Sequence, residues 1–197
     1  DRRQRQMCIR DRYQNTQTKY YSCGEEMFPD MLEALRGAKH FIFLEYFIIE
    51  EGYMFNTILD ILEEKAKAGV DVRFIYDDVG SINSISFGYY KKLQERGIPC
   101  VTFNPFKPLI SVVMNNRDHR KIFVVDGYIG FTGGINLADE YINKVKRFGY
   151  WKDTGVRIEG EAVWSLTAMF LEMWNYINRS TEDYSRFPVS YTHLRAH

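Results

Sequence analysis

The residues best suited to chemistry lie in the stretch 119–136, which reads HRKIFVVDGYIGFTGGIN. His119 and Lys121 are separated by one residue, Arg120, and in a strand this spacing puts the imidazole and the ammonium on the same face. Histidine can attack phosphorus, and lysine can hold the non-bridging oxygens of a phosphate. The pair therefore favours a phosphodiester substrate over the alternative that the histidine is merely solvated at the mouth of a hairpin.

A turn joins the two halves of this stretch. Asp126-Gly127 is flanked by alternating apolar residues, and this dipeptide predicts a two-residue turn with positive φ at both positions. The predicted turn pairs Val125 with Tyr128. Asp126 is counted among the candidate catalytic residues because it belongs to the motif, but its position predicts an architectural role without contact to phosphate.

The same pairing predicts what surrounds the histidine. It sets His119 opposite Gly134, with Gly133 alongside and Asn136 just beyond. Positions without a side chain leave room for a bulky anion to approach the backbone. The histidine also needs a carboxylate behind it to orient a neutral ring nitrogen. The candidates for that role are Asp118, Asp126, Glu140 and Asp153.

Length and composition limit the class of protein. A chain of 197 residues with 45% hydrophobic residues is typical of one globular domain. Lys and Arg together number 26, as do Asp and Glu, so the net charge gives no general reason to expect a nucleic acid partner. The three cysteines lack the spacing of metal ligands and the even count of a disulfide framework. No apolar run reaches the length of a membrane span, about 18 residues.

The two ends of the chain do not resemble parts of a fold. Residues 1–12 hold five arginines and almost nothing apolar, which predicts a leader that is non-native or disordered. The domain is predicted to span residues 13–180. Residues 181–197 are predicted to form a tail whose last residues are also non-native.

Hydrophobic periodicity predicts alternating helices and strands. Helices are predicted at residues 25–38, 54–68, 89–96 and 161–177, and strands at residues 40–49, 70–76, 99–103, 119–125, 128–132 and 151–158. The alternation in the first half indicates right-handed crossover connections. The predicted fold class is therefore α/β, with a mixed, mainly parallel sheet flanked by helices in an α-β-α sandwich.

Three further features each leave two interpretations. Glu45 interrupts an apolar strand, so it is either paired or lines the site. Asp77 and Asp78 follow a strand, where a turn and cap role is favoured over metal binding. The apolar connector 103–116 is either a buried crossover or a surface that touches lipid.

The motif also resembles a known one. The pattern His119-x-Lys121-x4-Asp126-x6-Gly133-Gly134-x-Asn136 matches the HKD signature, so the chain resembles the phospholipase D superfamily. Its other segments are similar to those of bacterial cardiolipin synthases, namely FIFLEYFIIEEG, YDDVGS, FNPF, NNRDHRKIFVVDG, FTGGINLADEYI and WKDTGVR. The resemblance covers roughly residues 20–178.

The resemblance implies a metal-independent phosphatidyl transfer in two steps, without a cofactor. One motif histidine would form a phosphohistidine, and a second would act as general acid and then as general base. His119 would be one of these histidines, and Asp153 would orient a histidine. The phosphate would be bound by Lys121, Gly133, Gly134 and Asn136. For cardiolipin synthases the reaction joins two phosphatidylglycerols and releases glycerol.

The chain departs from that family in one respect. Family synthases carry two HKD motifs that face each other, and membrane-spanning helices, whereas this chain has one motif and no span. It is therefore similar to the amino-terminal catalytic half, which would need the missing half or a homodimer and is expected to be nearly inactive alone. The full-length protein is expected in the bacterial cell membrane, with phosphatidylglycerol and the membrane surface as partners. The alternatives are a homodimeric single-motif phosphodiesterase acting on nucleic acid, and a silent lipid-binding module.

Overall fold

The computed structural model describes residue 13 and residues 15–105 and 117–187. The predicted leader, most of the apolar connector and the end of the predicted tail lie outside the described residues. Within the described part, no helix is both long enough and apolar enough to cross a membrane.

Seven strands of the described chain form one sheet. They are β1 (Thr16–Tyr21), β2 (Phe41–Tyr46), β3 (Asp71–Asp77), β4 (Cys100–Phe103), β5 (Ile122–Val125), β6 (Ile129–Gly133) and β7 (Gly155–Gly160). Their order across the sheet is β1-β7-β6-β5-β2-β3-β4. The mixed α/β sheet flanked by helices is confirmed.

The expectation that this sheet is mainly parallel is wrong. Only β2, β3 and β4 pair in parallel among the described strands, and the other four pairings are antiparallel. The first half of the chain places a helix between successive strands, which allows parallel pairing. The second half joins β5 to β6 by a tight turn, which forces an antiparallel pair.

Four helices of the described chain cover both faces of the sheet. They are α1 (Gly24–Gly37), α2 (Tyr53–Lys67), α3 (Tyr89–Glu95) and α4 (Val163–Asn178), with 3₁₀ turns at Asp139–Ile142 and Tyr184–Arg186. These bounds agree with the predicted helices within two residues at each end. The carboxylate of Asp139 caps the start of α2, since it accepts hydrogen bonds from the N–H groups of Tyr53 (2.9 Å) and Met54 (2.7 Å).

Strand alternation divides the interior into two cores. In β2, Ile42 and Leu44 pack on the face covered by α1, α2 and α3, whereas Phe43 packs on the face covered by α4. The ring of Phe43 stacks on that of Phe170 from α4, with centroids 4.6 Å apart. The central strands are buried on both faces, which explains why their sequences are mostly apolar.

Segments outside the predicted helices and strands also belong to the fold at both ends of the described chain. The strand β1 was not predicted, because its sequence TQTKYY is mostly polar and exposed and it pairs with β7 alone, at the edge of the sheet. At the other end, Phe187 is buried in the core beneath α4, and Glu182 pairs with Arg73 of β3. Residues after α4 thus contact the folded core, and the domain bounds 13–180 stay a prediction.

The hairpin turn has the predicted conformation but a different register. Asp126 and Gly127 have φ of 52° and 64°, and the N–H of Tyr128 donates to the carbonyl of Val125 (3.1 Å). However, Val125 pairs with Ile129 and not with Tyr128. The reason is that the carbonyl of Tyr128 accepts from Gly160 N (2.9 Å), so this residue is used by β7.

Candidate functional site

One edge of the sheet carries most of the residues singled out from the sequence. Here β2 and β3 end at Tyr46 and Asp77, β5 begins just after Lys121, and β6 ends beside Gly134. We call this the site edge. The strand predicted to start at His119 starts three residues later, because β5 begins at Ile122. His119 and Lys121 therefore lie in the segment that precedes the strand, and tertiary contacts, not strand alternation, bring them together.

Phe47 forms a platform under both His119 and Lys121. The exposed imidazole of His119 stacks on the Phe47 ring with centroids 3.8 Å apart and an interplanar angle of 25°. The Nζ of Lys121 lies 5.4 Å from the centroid of the same ring and donates to the carbonyl oxygen of His119 (2.7 Å). Phe47 was not singled out from the sequence, since it is one of several aromatic residues in the apolar run 40–49. The sequence signal that could have pointed to Phe47 is the length of this apolar run, which extends past Tyr46, the last residue of β2.

The segment after β3 supports this platform. The hydroxyl of Ser81 donates to the carbonyl of Phe47 (3.2 Å) and accepts from Ile49 N (3.1 Å). A Cβ atom at Gly80 would lie 2.4 Å from the same carbonyl oxygen, so a larger residue would displace Phe47. The YDDVGS sequence is thus explained by contacts with the platform.

Asp77 anchors the segment that carries the histidine. Its carboxylate is buried and accepts hydrogen bonds from Gly80 N (2.8 Å), Asp118 N (3.1 Å) and Arg117 Nη1 (3.3 Å). The predicted turn role is confirmed for Asp77. Across residues 15–105 and 117–187, no three potential ligands cluster as a metal site would require.

Glu45 lies beneath this segment in a cluster with Asp118 and Arg120. Arg120 Nη2 is 2.7 Å from Glu45 Oε1, and its Nε donates to Asp118 Oδ1 (3.0 Å). Glu45 is 1% exposed, so it pairs below the site and does not line it.

The pKa values of the two carboxyl groups in this cluster are shifted in opposite directions. The ion pair with Arg120 favours an ionised Glu45, but no aligned hydrogen-bond donor in the described chain reaches its oxygens. Burial, followed by the hydrogen bond and the negative charge of Asp118, raises the pKa of Glu45 to about 10. Burial opposes ionisation of Asp118 as well, but hydrogen bonds from Glu45 and Arg120 lower its pKa. Glu45 is therefore the protonated member at neutral pH.

The glycine pair makes close contact with the chain that leads into β7. Gly133 has φ of 146°, and a Cβ there would lie 2.4 Å from the carbonyl oxygen of Thr154. A Cβ at Gly134 would lie 1.9 Å from Asp153 Oδ1. The Cβ direction of Gly134 thus faces the Asp153 carboxylate, and the absence of a side chain lets Asp153 come close to the motif. Phosphate binding by Gly133 and Gly134 stays a prediction.

The charge of Asp153 acts on Lys121. Burial lowers the pKa of the Lys121 ammonium, and the negative charges of Asp153 and Asp118 oppose that shift. Lys121 is 8% exposed, so its ammonium is largely withdrawn from water. A bound phosphate would add a further negative charge beside this cation.

Asn136 is buried behind the platform. Its Oδ1 accepts from Ile48 N (3.0 Å), and its Nδ2 donates to the hydroxyl of Tyr141 (2.8 Å). The second hydrogen on Nδ2 is not used by these contacts. Phosphate binding by this amide stays a prediction.

Asp126 lies at the opposite end of β5 from His119 and Lys121. Its carboxylate accepts from the backbone N–H groups of Lys39 (2.9 Å), His40 (2.7 Å) and Phe41 (2.9 Å). These bonds hold the start of β2 against the hairpin turn. The contacts agree with an architectural role and do not bring Asp126 to the site edge.

Two other candidate carboxylates are occupied elsewhere. Asp118 is held by Arg120, and Glu140 lies 3.1 Å from Arg147. Asp153 Oδ1 accepts from the N–H of Thr154 (2.8 Å), and the negative charge of Asp153 acts on Lys121. The role of Asp153 in orienting His119 stays a prediction.

A depression of about 470 Å³ opens beside the histidine. It is lined by Phe103, Arg117, Asp118, His119, Arg120 and Met173. Its volume lies in the range of small-molecule sites, about 300–1,000 Å³.

Comparisons with known proteins identify relatives of this chain. The family model described as cardiolipin synthase, PLD-like domain matches residues 31–174. An uncharacterized protein from Streptococcus mutans is 51% identical over 170 residues, which cover 86% of this chain and 37% of that protein. A cardiolipin synthase from Alkalihalophilus pseudofirmus is 45% identical over 163 residues, which cover 82% of this chain and 32% of the synthase.

A solved structure shares the fold. The phospholipase D family member Nuc from Salmonella typhimurium superposes with a TM-score of 0.56 at 22% identity, covering 86% of this chain and 97% of that chain. By contrast, the chain spans about a third of the length of the curated relatives it matches, 37% and 32%.

Proposed function

Because the chain belongs to the cardiolipin synthase, phospholipase D-like domain family, we propose that it supplies one half of a phosphatidyltransferase site. The observation that carries the proposal is the stacking of the exposed His119 ring on Phe47 at 3.8 Å, with Lys121 beside it. This arrangement offers a nucleophilic nitrogen next to a cation that is partly withdrawn from water. It suits attack on a phosphodiester.

The proposed reaction has two displacements at phosphorus. One motif histidine attacks the phosphorus of a phosphatidylglycerol; a nitrogen–phosphorus bond forms and the bond to the glycerol oxygen breaks. The second motif histidine gives its proton to the departing glycerol. It then takes a proton from a hydroxyl of a second phosphatidylglycerol, which attacks phosphorus and releases the first histidine as cardiolipin forms. His119 is one of these two histidines.

The neighbouring residues have separate tasks in this proposal. Lys121, with its lowered pKa, pairs with the non-bridging oxygens and compensates their charge as it builds up. Asn136 offers its remaining Nδ2 hydrogen to the phosphate. Asp153, brought close by Gly134, orients a motif histidine and keeps Lys121 protonated.

The second histidine must come from another polypeptide segment. The chain carries one HKD motif, and the exposure of His119 leaves the ring open to a facing surface. The source is either the remaining two thirds of a protein of its relatives' length or a second copy of the chain. Through such a full-length enzyme, the site would work at the bacterial cell membrane, where its lipid substrates are.

The first experiment tests activity on the full 197-residue chain. Its association state is measured by sedimentation, and the chain is then incubated with vesicles that contain labelled phosphatidylglycerol. A monomer should produce little or no cardiolipin, and robust turnover by a demonstrated monomer would contradict the half-site. Metal-free cleavage of DNA by a dimer, without lipid turnover, would instead favour the nucleic acid phosphodiesterase.

The second experiment supplies the missing half. The segment 15–187, which holds the seven strands and four helices of the described chain, replaces the matching segment in the Alkalihalophilus pseudofirmus cardiolipin synthase, which is 45% identical to this chain. The chimera should make cardiolipin, and His119→Gln should lower its rate by about 10³-fold or more. The matched control is His40→Gln, because His40 is an exposed histidine at the opposite edge of the sheet. Equal rates for the two variants would contradict the role of His119.

A further inference from the structure

A basic and aromatic segment borders the site edge. Residues 144–152 read KVKRFGYWK, with four basic residues and no acidic residue in a chain whose net charge is zero. Three of its side chains are exposed although they are apolar or aromatic: Phe148 (76%), Tyr150 (66%) and Val145 (51%). We call these nine residues the basic–aromatic segment. Exposed apolar side chains grouped with lysines are typical of a surface that meets a partner.

Ring contacts tie this segment to the site. Phe148 packs on Trp151 with centroids 6.1 Å apart, and Trp151 packs on Tyr141 at 5.1 Å. The hydroxyl of Tyr141 accepts from Asn136, and Asp153 follows the segment directly. A partner seated on Phe148 would therefore be linked to Asn136 through two ring contacts and one hydrogen bond.

The composition of the segment favours a lipid surface. Aromatic rings and lysines are enriched where proteins meet the headgroup region of a bilayer, because the rings enter the acyl boundary while the ammonium groups attract anionic lipid. The apolar side chain of Val145 is stabilised at the acyl boundary, whereas it can form neither a hydrogen bond nor an ion pair with a nucleic acid. The single arginine of the segment, Arg147, is already engaged by Glu140 (3.1 Å) and Glu50 (3.5 Å). Lys144, Lys146 and Lys152 are exposed.

We propose that the basic–aromatic segment docks the site edge on an anionic lipid bilayer, with Val145 and Phe148 inserted and the exposed lysines against the headgroups. The inference rests on the proposed function, because it identifies how a site for phosphatidylglycerol reaches its substrate. Phe87, which is 84% exposed in the connection from β3 to α3, lies at the same edge and adds a second aromatic contact.

The test measures binding of the full chain to vesicles by co-sedimentation. Vesicles of phosphatidylcholine with about one third phosphatidylglycerol should bind the wild type, and pure phosphatidylcholine should bind it far more weakly. The double variant Val145→Ser, Phe148→Ser should bind at least about tenfold more weakly, because its apolar contacts are lost. The control is Tyr176→Ser, which removes an equally exposed ring (75%) from α4 on the opposite face and should bind as the wild type does.

The charge contribution is tested with a second pair of variants. Lys146→Glu should weaken binding about 5- to 25-fold at low salt and by less at high salt, because the attraction is screened. Arg36→Glu makes the same change in net charge at the end of α1, on the edge away from the site, and should bind as the wild type does. The urea unfolding of each variant is also measured. A free energy of unfolding equal to that of the wild type shows that weaker binding does not come from a folding defect.

The outcomes separate docking from catalysis. Binding by His119→Gln at the wild-type level supports docking even where no turnover is found. If the Val145→Ser, Phe148→Ser variant binds vesicles as tightly as Tyr176→Ser, the docking surface is refuted. The proposed function is then tested separately, by turnover of a water-soluble short-chain substrate in the chimera. Binding of single-stranded DNA through the same segment, without vesicle binding, would also overturn the lipid proposal.

Discussion

The motif aspartate offers a sharp test of architecture against chemistry. Asp126 accepts three backbone hydrogen bonds from Lys39, His40 and Phe41, at the end of β5 away from the site. Asp126→Ala removes both oxygens that accept these three bonds and leaves an alanine at φ of 52°. Asp126→Asn keeps an oxygen for two of the donors, and asparagine tolerates this left-handed backbone conformation.

The size of the effect follows from burial. A hydrogen bond to a charged acceptor contributes about 1.5–3 kcal/mol when both groups are buried. Only Phe41 is buried among the three donors, and water can reach Lys39 and His40, so we count one full bond and a fraction of the others. With about 1 kcal/mol for the backbone conformation, Asp126→Ala should cost about 3–4 kcal/mol. Asp126→Asn should cost about 1 kcal/mol.

Two measurements on the same samples distinguish an effect on the stability of the fold from an effect on the geometry of the site. Urea unfolding gives the free energy of unfolding, and NMR follows the imidazole protons of His119, whose shifts report its stacking on Phe47. In Asp126→Asn the His119 signals should match the wild type. In the control Asp153→Asn, which changes a carboxylate near Lys121, the unfolding free energy should fall by less than about 1 kcal/mol while signals at the site shift.

One result would refute this account of Asp126. If Asp126→Ala unfolds within about 0.5 kcal/mol of the wild type while the His119 signals move, the three backbone bonds are not what this residue contributes. The motif aspartate would then act at the site itself.

Two further predictions concern the close packing at the site and the buried carboxyl pair. Gly133→Ala should cost about 2–3 kcal/mol in urea unfolding, because its Cβ would meet a backbone carbonyl at 2.4 Å and its φ is 146°. Gly134→Ala should cost about 1 kcal/mol, because the Asp153 side chain can turn away, but the pKa of Lys121 should then fall in an NMR titration. For Glu45, the folded pKa is raised, so the folded state binds more protons than the unfolded state between about pH 4.5 and pH 10, and this group makes stability fall as pH rises through that window. Relative to Glu45→Gln, the wild type should lose on the order of 1–3 kcal/mol of unfolding free energy between pH 5 and pH 7.5, and parallel pH profiles for the two proteins would contradict a protonated Glu45.

Local chemistry in the sequence was sufficient for several features. The positive φ of Asp126 and Gly127 follows from what a tight turn requires, and the apolar runs of β2 and β3 follow from burial on both faces. The helices were predicted within two residues because their apolar positions recur with the helical period. The motif pattern itself identified the family that residues 31–174 match.

Contacts between distant segments decided the rest. Pairing within the hairpin was shifted by one residue because Tyr128 bonds to β7, and nothing near the turn records that partner. The platform under His119 depends on Phe47 lying beyond the end of β2, and Asp153 meets Gly134 only because β6 and β7 are neighbours. Sequence therefore determined which residue types could perform the chemistry, since these are properties of single side chains and local periodicity. Their convergence at one edge was decided by the tertiary structure, because it depends on how strands far apart in the chain are ordered in the sheet.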